Sequence, residues 1–455
     1  MVKHMYRLLY AKLRFLTNPK FGEEFSSMCE SQWFRREKIL GIQQMKLRAL
    51  INHAYENVPY YHRVFKDRGL HPSDFKSVDD LNRLPRLTKD DIRSNFKDMA
   101  ATNFSRAQII TDATGGSTGT PLQFYTTQDD QNCARAAELR AYGWCGYRLG
   151  DKHAILWGSL FDLKRSEELY NKIIRFLDRH IMLNCFRMSQ ESMRMYALRL
   201  KKFKPRIVRG YASAVYLFAK FMLHEGVDNI KPKAVITSAE TLFDHERTTI
   251  EEAFGCEVYD FYGSREASAI ASECSEHSGH HISAENYVLE CMKEGESAAS
   301  GETGVILITN LRNYAMPFIR YEIGDLGRFS DEVCSCGRGL PLISSIEGRT
   351  TDIIVTQDGN FISTPVLTLI FKDLPVKQYQ IIQEKIEEIT VKIVRGSGYS
   401  EKDTKYIIRG MQKFIGKDVQ IRLEFVDSIP LTNSGKRRPI ISKIPIKFLE
   451  KNDAA

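Results

Sequence analysis

Dense runs of one charge are missing from this sequence. Lys and Arg number 65 against 57 Asp and Glu over 455 residues, a net charge of +8. That excess is mild, and no Lys/Arg block with interleaved aromatics stands out, which argues against a nucleic-acid surface. The first twenty residues do not read as a secretory leader either. Met1 to Lys20 mixes Lys3, Arg7, Lys12 and Arg14 with Leu8, Leu9, Tyr10, Leu13 and Phe15. Basic residues therefore recur where a leader keeps its apolar core, and the stretch is too interrupted to cross a bilayer. It is expected to form an amphipathic helix packed on its own domain, with peripheral contact to an anionic membrane as the second reading. A cytoplasmic protein is the expectation. Cysteine is sparse at nine residues. Without a leader these are expected to be thiols or metal ligands, not disulfides. No internal repeat or low-complexity linker interrupts the chain.

What is present is the balance of a soluble globular protein, 43% hydrophobic and 27% charged, in a chain too long for one core. Apolar residues at helical spacing predict helix across 31–70, interrupted at Val58-Pro59-Tyr60-Tyr61, and Thr88 is a predicted N-cap for Lys89-Asp90-Asp91-Ile92. From about 130 to 270, β-rich runs such as Ala154 to Trp157, Ile207 to Gly210 and Ala234 to Thr237 alternate with helical patterns, as α/β units require. Residues 282–330 turn strand-rich, with Tyr287 to Glu290, Gly304 to Ile308 and Phe318 to Tyr321. Beyond Gly348-Arg349 the strand runs Ile353 to Val355, Gln378 to Ile382, Glu388 to Val394 and Val419 to Phe425 surround one helix over Glu401 to Ile415. The expected fold is a large α/β N-terminal domain over 1–350, with mixed sheets, flanking helices and a small β-unit. A small α+β C-terminal domain over 351–455 would join it at a short hinge.

The densest chemical signal runs Thr114-Gly115-Gly116-Ser117-Thr118-Gly119-Thr120-Pro121. Glycines let backbone N–H groups approach phosphate oxygens, and hydroxyls add neutral donors. The Gly-Lys-Ser/Thr ending of a P-loop is missing, as is the glycine spacing of a dinucleotide fold. Taken alone, the segment also reads as a plain surface loop.

This loop resembles the nucleotide-phosphate loop of the adenylate-forming ligases. Four further segments resemble motifs of that family in the same order, across nearly the whole chain. Ser238-Ala239-Glu240 with Asp260-Phe261-Tyr262-Gly263-Ser264-Arg265-Glu266 is similar to its adenine and magnesium motifs. Tyr321-Glu322-Ile323-Gly324-Asp325 is similar to its ribose motif, Gly348-Arg349-Thr350-Thr351-Asp352 to its hinge, and Ser434-Gly435-Lys436-Arg437-Arg438 to its catalytic lysine loop. Asn57-Val58-Pro59-Tyr60-Tyr61 and Leu84-Pro85-Arg86-Leu87-Thr88-Lys89 resemble the phenylacetate–coenzyme A ligase branch, with the capsular-polysaccharide subgroup closest.

The resemblance implies activation of a carboxylic acid by ATP and Mg²⁺ to an acyl-adenylate, then acyl transfer to coenzyme A. The alternative acceptors are a carrier protein or a sugar amine or hydroxyl in surface-polysaccharide biosynthesis, beside whose enzymes the chain would work. A non-catalytic assembly factor is a third reading, against which the joint presence of Glu266, Asp325, Arg349 and Lys436 argues. Thr114 to Gly119 would hold phosphates, although Leu122 stands after Pro121 where the family often has Lys. Glu266 is the implied Mg²⁺ ligand, since hard carboxylates suit that ion; alone it reads equally as a solvated helix-start residue. Ser238, Ala239, Glu240, Asp260 and Tyr262 would line the adenine pocket. Asp325 would accept hydrogen bonds from the ribose, and Arg349 would hold the ribose or phosphate side. Lys436 would bridge the attacking carboxylate and the α-phosphate. The C-terminal domain would be mobile, rotating about Asp352 between the two steps. An acid pocket is expected between Trp144 and Tyr211, with Trp157, Phe161, Phe186 and Tyr211 as walls. Neither the acid nor the oligomeric state is legible.

Cys334-Ser335-Cys336-Gly337 and Cys274 supply three thiolates, and His277, His280 and His281 a choice of imidazole. A Cys₃His set suits structural zinc, with unliganded thiols as the competing reading. Similarity to the branch, which places His directly before an apolar strand, favours His281.

Overall fold

Short β-branched runs with helices between them fold here as parallel strands covered on both faces. The computed structural model describes residues 2–114, 122–157, 177–185, 188–349, 353–357, 361–363, 367, 370–371, 374–430 and 438–444. Two compact units are present. The first comprises Met1–Glu290, Leu307–Ile323 and Phe329–Ser345; the second comprises Cys291–Ile306, Gly324–Arg328 and Ile346–Ala455. The architecture is a large mixed α/β domain with a separate small α+β domain at the C-terminus.

In the first unit β1 (Ile110–Ala113) and β2 (Gln123–Thr126) form an antiparallel hairpin. A larger sheet follows from β3 (His153–Trp157), β4 (His180–Asn184), β5 (Ile207–Tyr211), β6 (Ala234–Ser238), β7 (Val258–Tyr262), β8 (Ala271–Glu273) and β9 (His280–Ile282). Its order is β4-β3-β5-β6-β7-β8-β9, parallel through β7 and antiparallel beyond. Ala154, Leu156, Val208 and Val235 bury one face beneath the helices Gln190–Phe203, Ala212–His224 and Asp244–Phe254. Ile207, Ala234 and Ile236 bury the other against Gln128–Trp144, with Phe21 and Met28. Gly210 is required where it stands: a Cβ there would meet the Leu156 carbonyl at 2.8 Å.

Helix fills Pro19–Ser31, Arg36–Asn57 and Pro59–Asp67. The expected interruption is only one residue wide, because Val58 leaves the helix and Pro59 restarts it at a position whose N–H needs no partner. Thr88 caps Lys89–Ser94, its hydroxyl accepting from the Asp91 N–H while Asp91 accepts from the Thr88 N–H. One expectation is corrected. The strand read from Phe318 begins at Tyr321, because Arg320 turns the chain with φ +54°. Its guanidinium fixes that turn by binding Glu290 and the Leu84 and Asn82 carbonyls.

In the second unit Val376–Lys385 and Glu388–Arg395 pair antiparallel, with Gln420–Phe425 and Ile440–Ser442 added parallel at the two edges. Ile389, Val391 and Ile393 alternate inward against Ile407, Met411 and Ile415, one stripe of the helix Glu401–Ile415. Among the described residues no helix is long and apolar enough to cross a membrane.

Candidate active site

Parallel α/β sheets bind ligands beyond the carboxyl ends of their strands. At that edge β3 ends in Trp157, β5 in Tyr211, β6 in Ser238 and β7 in Tyr262. The rings of Trp157 and Tyr211 lie 4.2 Å apart. With Cys185, Ala214, Met188 and Ala239 they form one apolar cluster. The aromatics expected to line an acid pocket and Ala239 of the segment expected to line the adenine therefore lie in one cluster. Phe161 and Phe186 lie outside the described residues. Ala239 has φ +70°, a conformation disfavoured for a residue with a Cβ and common at functional turns. The turn takes Glu240 to the amino end of Ala212–His224, where its carboxylate accepts the Ser213 N–H at 2.9 Å.

Asp260 points into a polar network beside the strand. It accepts from the Thr237 hydroxyl at 2.9 Å and lies 3.1 Å from His280 Nε2, while its N–H donates to Glu273. Glu273 in turn binds both Arg247 and His277. Tyr262 is buried at the strand end. The turn after it is closed by Ser264 and Ala267, which exchange two hydrogen bonds of 3.0 Å. Glu266 emerges from that turn half-buried, and one of its carboxylate oxygens accepts the Tyr321 hydroxyl at 3.0 Å.

The glycine-rich segment falls in the sequence between β1 and β2. Thr114 closes its base, since its N–H donates to the Leu122 carbonyl and its hydroxyl accepts the Leu122 N–H, both at 2.9 Å. Gly115, Gly116, Ser117, Thr118 and Gly119 lie outside the described residues, as do Asp352 and Lys436. Asp325, in the second unit, is half-buried next to Gly324, whose φ is +90°. Arg349 ends the strand Leu342–Arg349 after Gly348.

Cys274, His281, Cys334 and Cys336 come together with their ligand atoms within 4.8 Å of one another. The Cys274 and Cys334 sulfurs are 3.7 Å apart, and Cys336 Sγ is 3.3 Å from His281 Nε2. Two Zn–S bonds of about 2.3 Å at the tetrahedral angle place their sulfurs about 3.8 Å apart, so the donor set fits zinc. Burial pushes the His281 imidazole down to about 4, which keeps it neutral as a ligand must be. His277 and His280 are turned to Glu273 and Asp260 instead.

Comparison with known proteins bears on the fold and the sequence as a whole. The family model described as the CapK C-terminal domain matches residues 354–443. Protein CapK of Staphylococcus aureus is 26% identical over 412 residues, 89% of this chain and 89% of that protein. Phenylacetate-coenzyme A ligase of Thermus thermophilus is 26% identical over 387 residues, covering 80% and 83% of the two chains. The solved 2-hydroxyisobutyryl-CoA ligase, in the postadenylation state with R3-HIB-AMP, superposes with a TM-score of 0.72 at 21% identity over 90% of this chain and 89% of that one. The chain has the fold of that acyl-CoA ligase and is similar in sequence to phenylacetate-coenzyme A ligases over most of its length.

Within this ligase fold several residues at the site edge were not singled out from the sequence. Tyr321 stood in a motif quoted for its aspartate, and its contact with Glu266 joins residues 55 apart in sequence. Cys185, Ala214 and Met188 carry no motif. Beneath β5, Glu138 binds Arg135, Arg209 and the Tyr142 hydroxyl. Despite burial, those two guanidiniums hold its carboxyl well below the usual range. Arg209 reaches over the Trp157 ring at 5.8 Å, so the apolar wall is braced from behind by this ion cluster. Its only advance signal was an Arg within the β5 run.

Proposed function

We propose that this ligase joins a carboxylate oxygen of its substrate to the α-phosphorus of MgATP, expelling pyrophosphate, and then passes the acyl group to the thiol of coenzyme A, expelling AMP. The observation that carries the reading is the apolar cluster of Trp157, Tyr211 and Ala239, which brings the expected acid-pocket aromatics beside the segment that resembles the adenine motif. In this reading Thr114 to Gly119 hold phosphates and Ser238 to Glu240, Asp260 and Tyr262 flank the adenine. Asp325 and Arg349 serve the ribose side. Glu266 supports Mg²⁺, whose charge offsets the two anions brought together. Lys436 stabilises the charge moving onto the α-phosphate. In this reading the chain divides into a large domain over 1–350 and a mobile domain over 351–455 that carries Lys436. The resemblance to the capsular-polysaccharide subgroup supports work beside surface-polysaccharide enzymes, and the proposed use of ATP and coenzyme A supports a cytoplasmic setting.

Acyl-dependent ATP–pyrophosphate exchange tests the first step against a panel of aryl, fatty, hydroxy and amino acids. Lys436→Ala should abolish exchange; unchanged exchange refutes the assignment. Mass spectrometry of products with and without coenzyme A tests the acceptor.

Zinc bound by Cys274, His281, Cys334 and Cys336 would pin β8 and β9 to the segment 334–342. Four protein donors close the coordination sphere, so the role is structural. Elemental analysis showing far less than one zinc per chain rejects it.

A further inference from the structure

The helix Val2–Thr17 has two different faces. Its inner face is fastened to the first unit. Tyr10 is buried, the Tyr6 hydroxyl donates to the Leu177 carbonyl at 2.6 Å, Arg7 pairs with Asp151 at 3.3 Å, and Phe15 packs on Phe21 and Phe25. Its outer face carries Met5, Leu8, Leu9, Leu13 and Leu16, each between 51% and 69% exposed. At about 100° per residue these five fall in one continuous stripe. Packing on the domain therefore accounts for one side of the helix and leaves the more apolar side in water. Scattered surface leucines need no explanation, but a contiguous apolar stripe marks a contact surface.

Charge selects the partner. The helix holds Lys3, Arg7, Lys12 and Arg14 and no Asp or Glu, and Lys12 is exposed within the stripe itself. A second copy of this chain, docked by two-fold symmetry on the same face, would bury both Lys12 side chains in an interface whose two helices hold no carboxylate to neutralise them. An anionic bilayer supplies that countercharge. The Lys12 stem can lie along the apolar boundary while its ammonium stays at phosphate level. We propose that the outer face of Val2–Thr17 docks the enzyme on an anionic lipid surface, with the helix in the interfacial plane and Met5, Leu8, Leu9, Leu13 and Leu16 entering the headgroup–acyl boundary.

The test is cosedimentation of the full-length protein with phosphatidylcholine vesicles, with or without phosphatidylglycerol. Binding is expected with the mixed vesicles, weaker with phosphatidylcholine alone and weaker as salt is raised. Leu9→Glu with Leu13→Glu should cut partitioning by at least about tenfold, from lost apolar burial alone. Neither residue touches the inner face, and unchanged ATP–pyrophosphate exchange would show that the fold survives. Failure of the wild-type protein to bind either vesicle overturns the proposal. So does a double variant that binds equally well. A wild-type dimer that the double variant disperses, seen by light scattering, assigns the face to a second copy instead and also overturns it.

Discussion

Replacing Tyr321 by Phe is expected to slow ATP–pyrophosphate exchange by about tenfold without unfolding the enzyme. Tyr321 is buried, and its hydroxyl donates to Glu266 at 3.0 Å. A hydrogen bond to an ionised carboxylate contributes about 1.5–3 kcal/mol. Glu266 is half-buried, so water recovers part of that loss, leaving about 1–2 kcal/mol, or roughly 5- to 30-fold in rate at 1.36 kcal/mol per decade. Phe keeps the ring and its packing on Phe318, 5.0 Å away between centroids. If the hydroxyl orients Glu266 for the metal, the loss should appear as a higher Mg²⁺ requirement, with thermal stability little changed. Glu266→Gln keeps an acceptor for Tyr321 but discards the charge, and should be the more damaging of the two. Exchange measured across Mg²⁺ and ATP concentrations separates these effects. A Tyr321→Phe enzyme with wild-type exchange and wild-type Mg²⁺ dependence refutes the reasoning.

Three further outcomes follow from the same structure. Arg140 and Glu285 form a buried pair at 2.6 Å, with the Ser31 hydroxyl on the same carboxylate oxygen. Arg140→Met should therefore cost about 3–5 kcal/mol by stranding Glu285, and adding Glu285→Leu should recover most of it in thermal or urea denaturation. Cys334→Ser and Cys336→Ser should each lower zinc content well below one per chain and lower the thermal midpoint while exchange activity persists; full zinc retention counts against the cluster. His153 is buried against His180, with centroids 5.0 Å apart and Tyr147 on its Nδ1. Burial first, then His180, Arg135 and Arg209, hold its pKa well below the ordinary value of 6.5, against the opposing pull of Glu138. The unfolded chain then binds a proton below pH 6.5 that the fold refuses. The His153 contribution should be constant above pH 7 and fall by up to about 1.4 kcal/mol per pH unit below 6.5. His153→Gln should make the acid-side loss of stability shallower by that amount, and an unchanged pH profile would refute it.

The periodic elements were legible because their signals are local. The Glu401–Ile415 helix carries its cap, Ser400 with Asp403, and its apolar stripe within one continuous segment. The parallel strands announced themselves as β-branched runs with a helix after each. Arg320 was not legible. Nothing in Phe318-Ile319-Arg320-Tyr321 announces a left-handed residue, because what holds it there is Glu290 and two carbonyls more than 230 residues upstream. The Cys₃His cluster falls between these cases. Spacing offered three histidines, and the choice depends on strand register. Leu342 pairs with His281 and Ile343 with His280 across the sheet. Neighbours on a strand point to opposite faces, so only one of the two adjacent imidazoles can turn toward the thiols.

The same alternation bears on which adenine-motif residues remain available to a nucleotide. Asp260 lies two positions inside the end of β7, and its two oxygens meet Thr237 on the neighbouring strand and His280 beyond. The Glu240 carboxylate is bound at a helix terminus by the Ser213 N–H. A carboxylate held by its own fold fixes strand ends in place, and withdrawing it to meet a ligand would leave buried donors without partners. Direct contact with adenine is therefore expected from the Ser238–Ala239 backbone and the Tyr262 ring. Asp260→Asn preserves size and one acceptor but breaks the charge match to His280. It should lower stability more than it raises the KM for ATP, whereas Tyr262→Ala should do the reverse. Titrating both variants for ATP, with thermal midpoints measured alongside, decides between a binding carboxylate and a bracing one. A large KM effect from Asp260→Asn at wild-type stability would show that this carboxylate reaches the nucleotide after all.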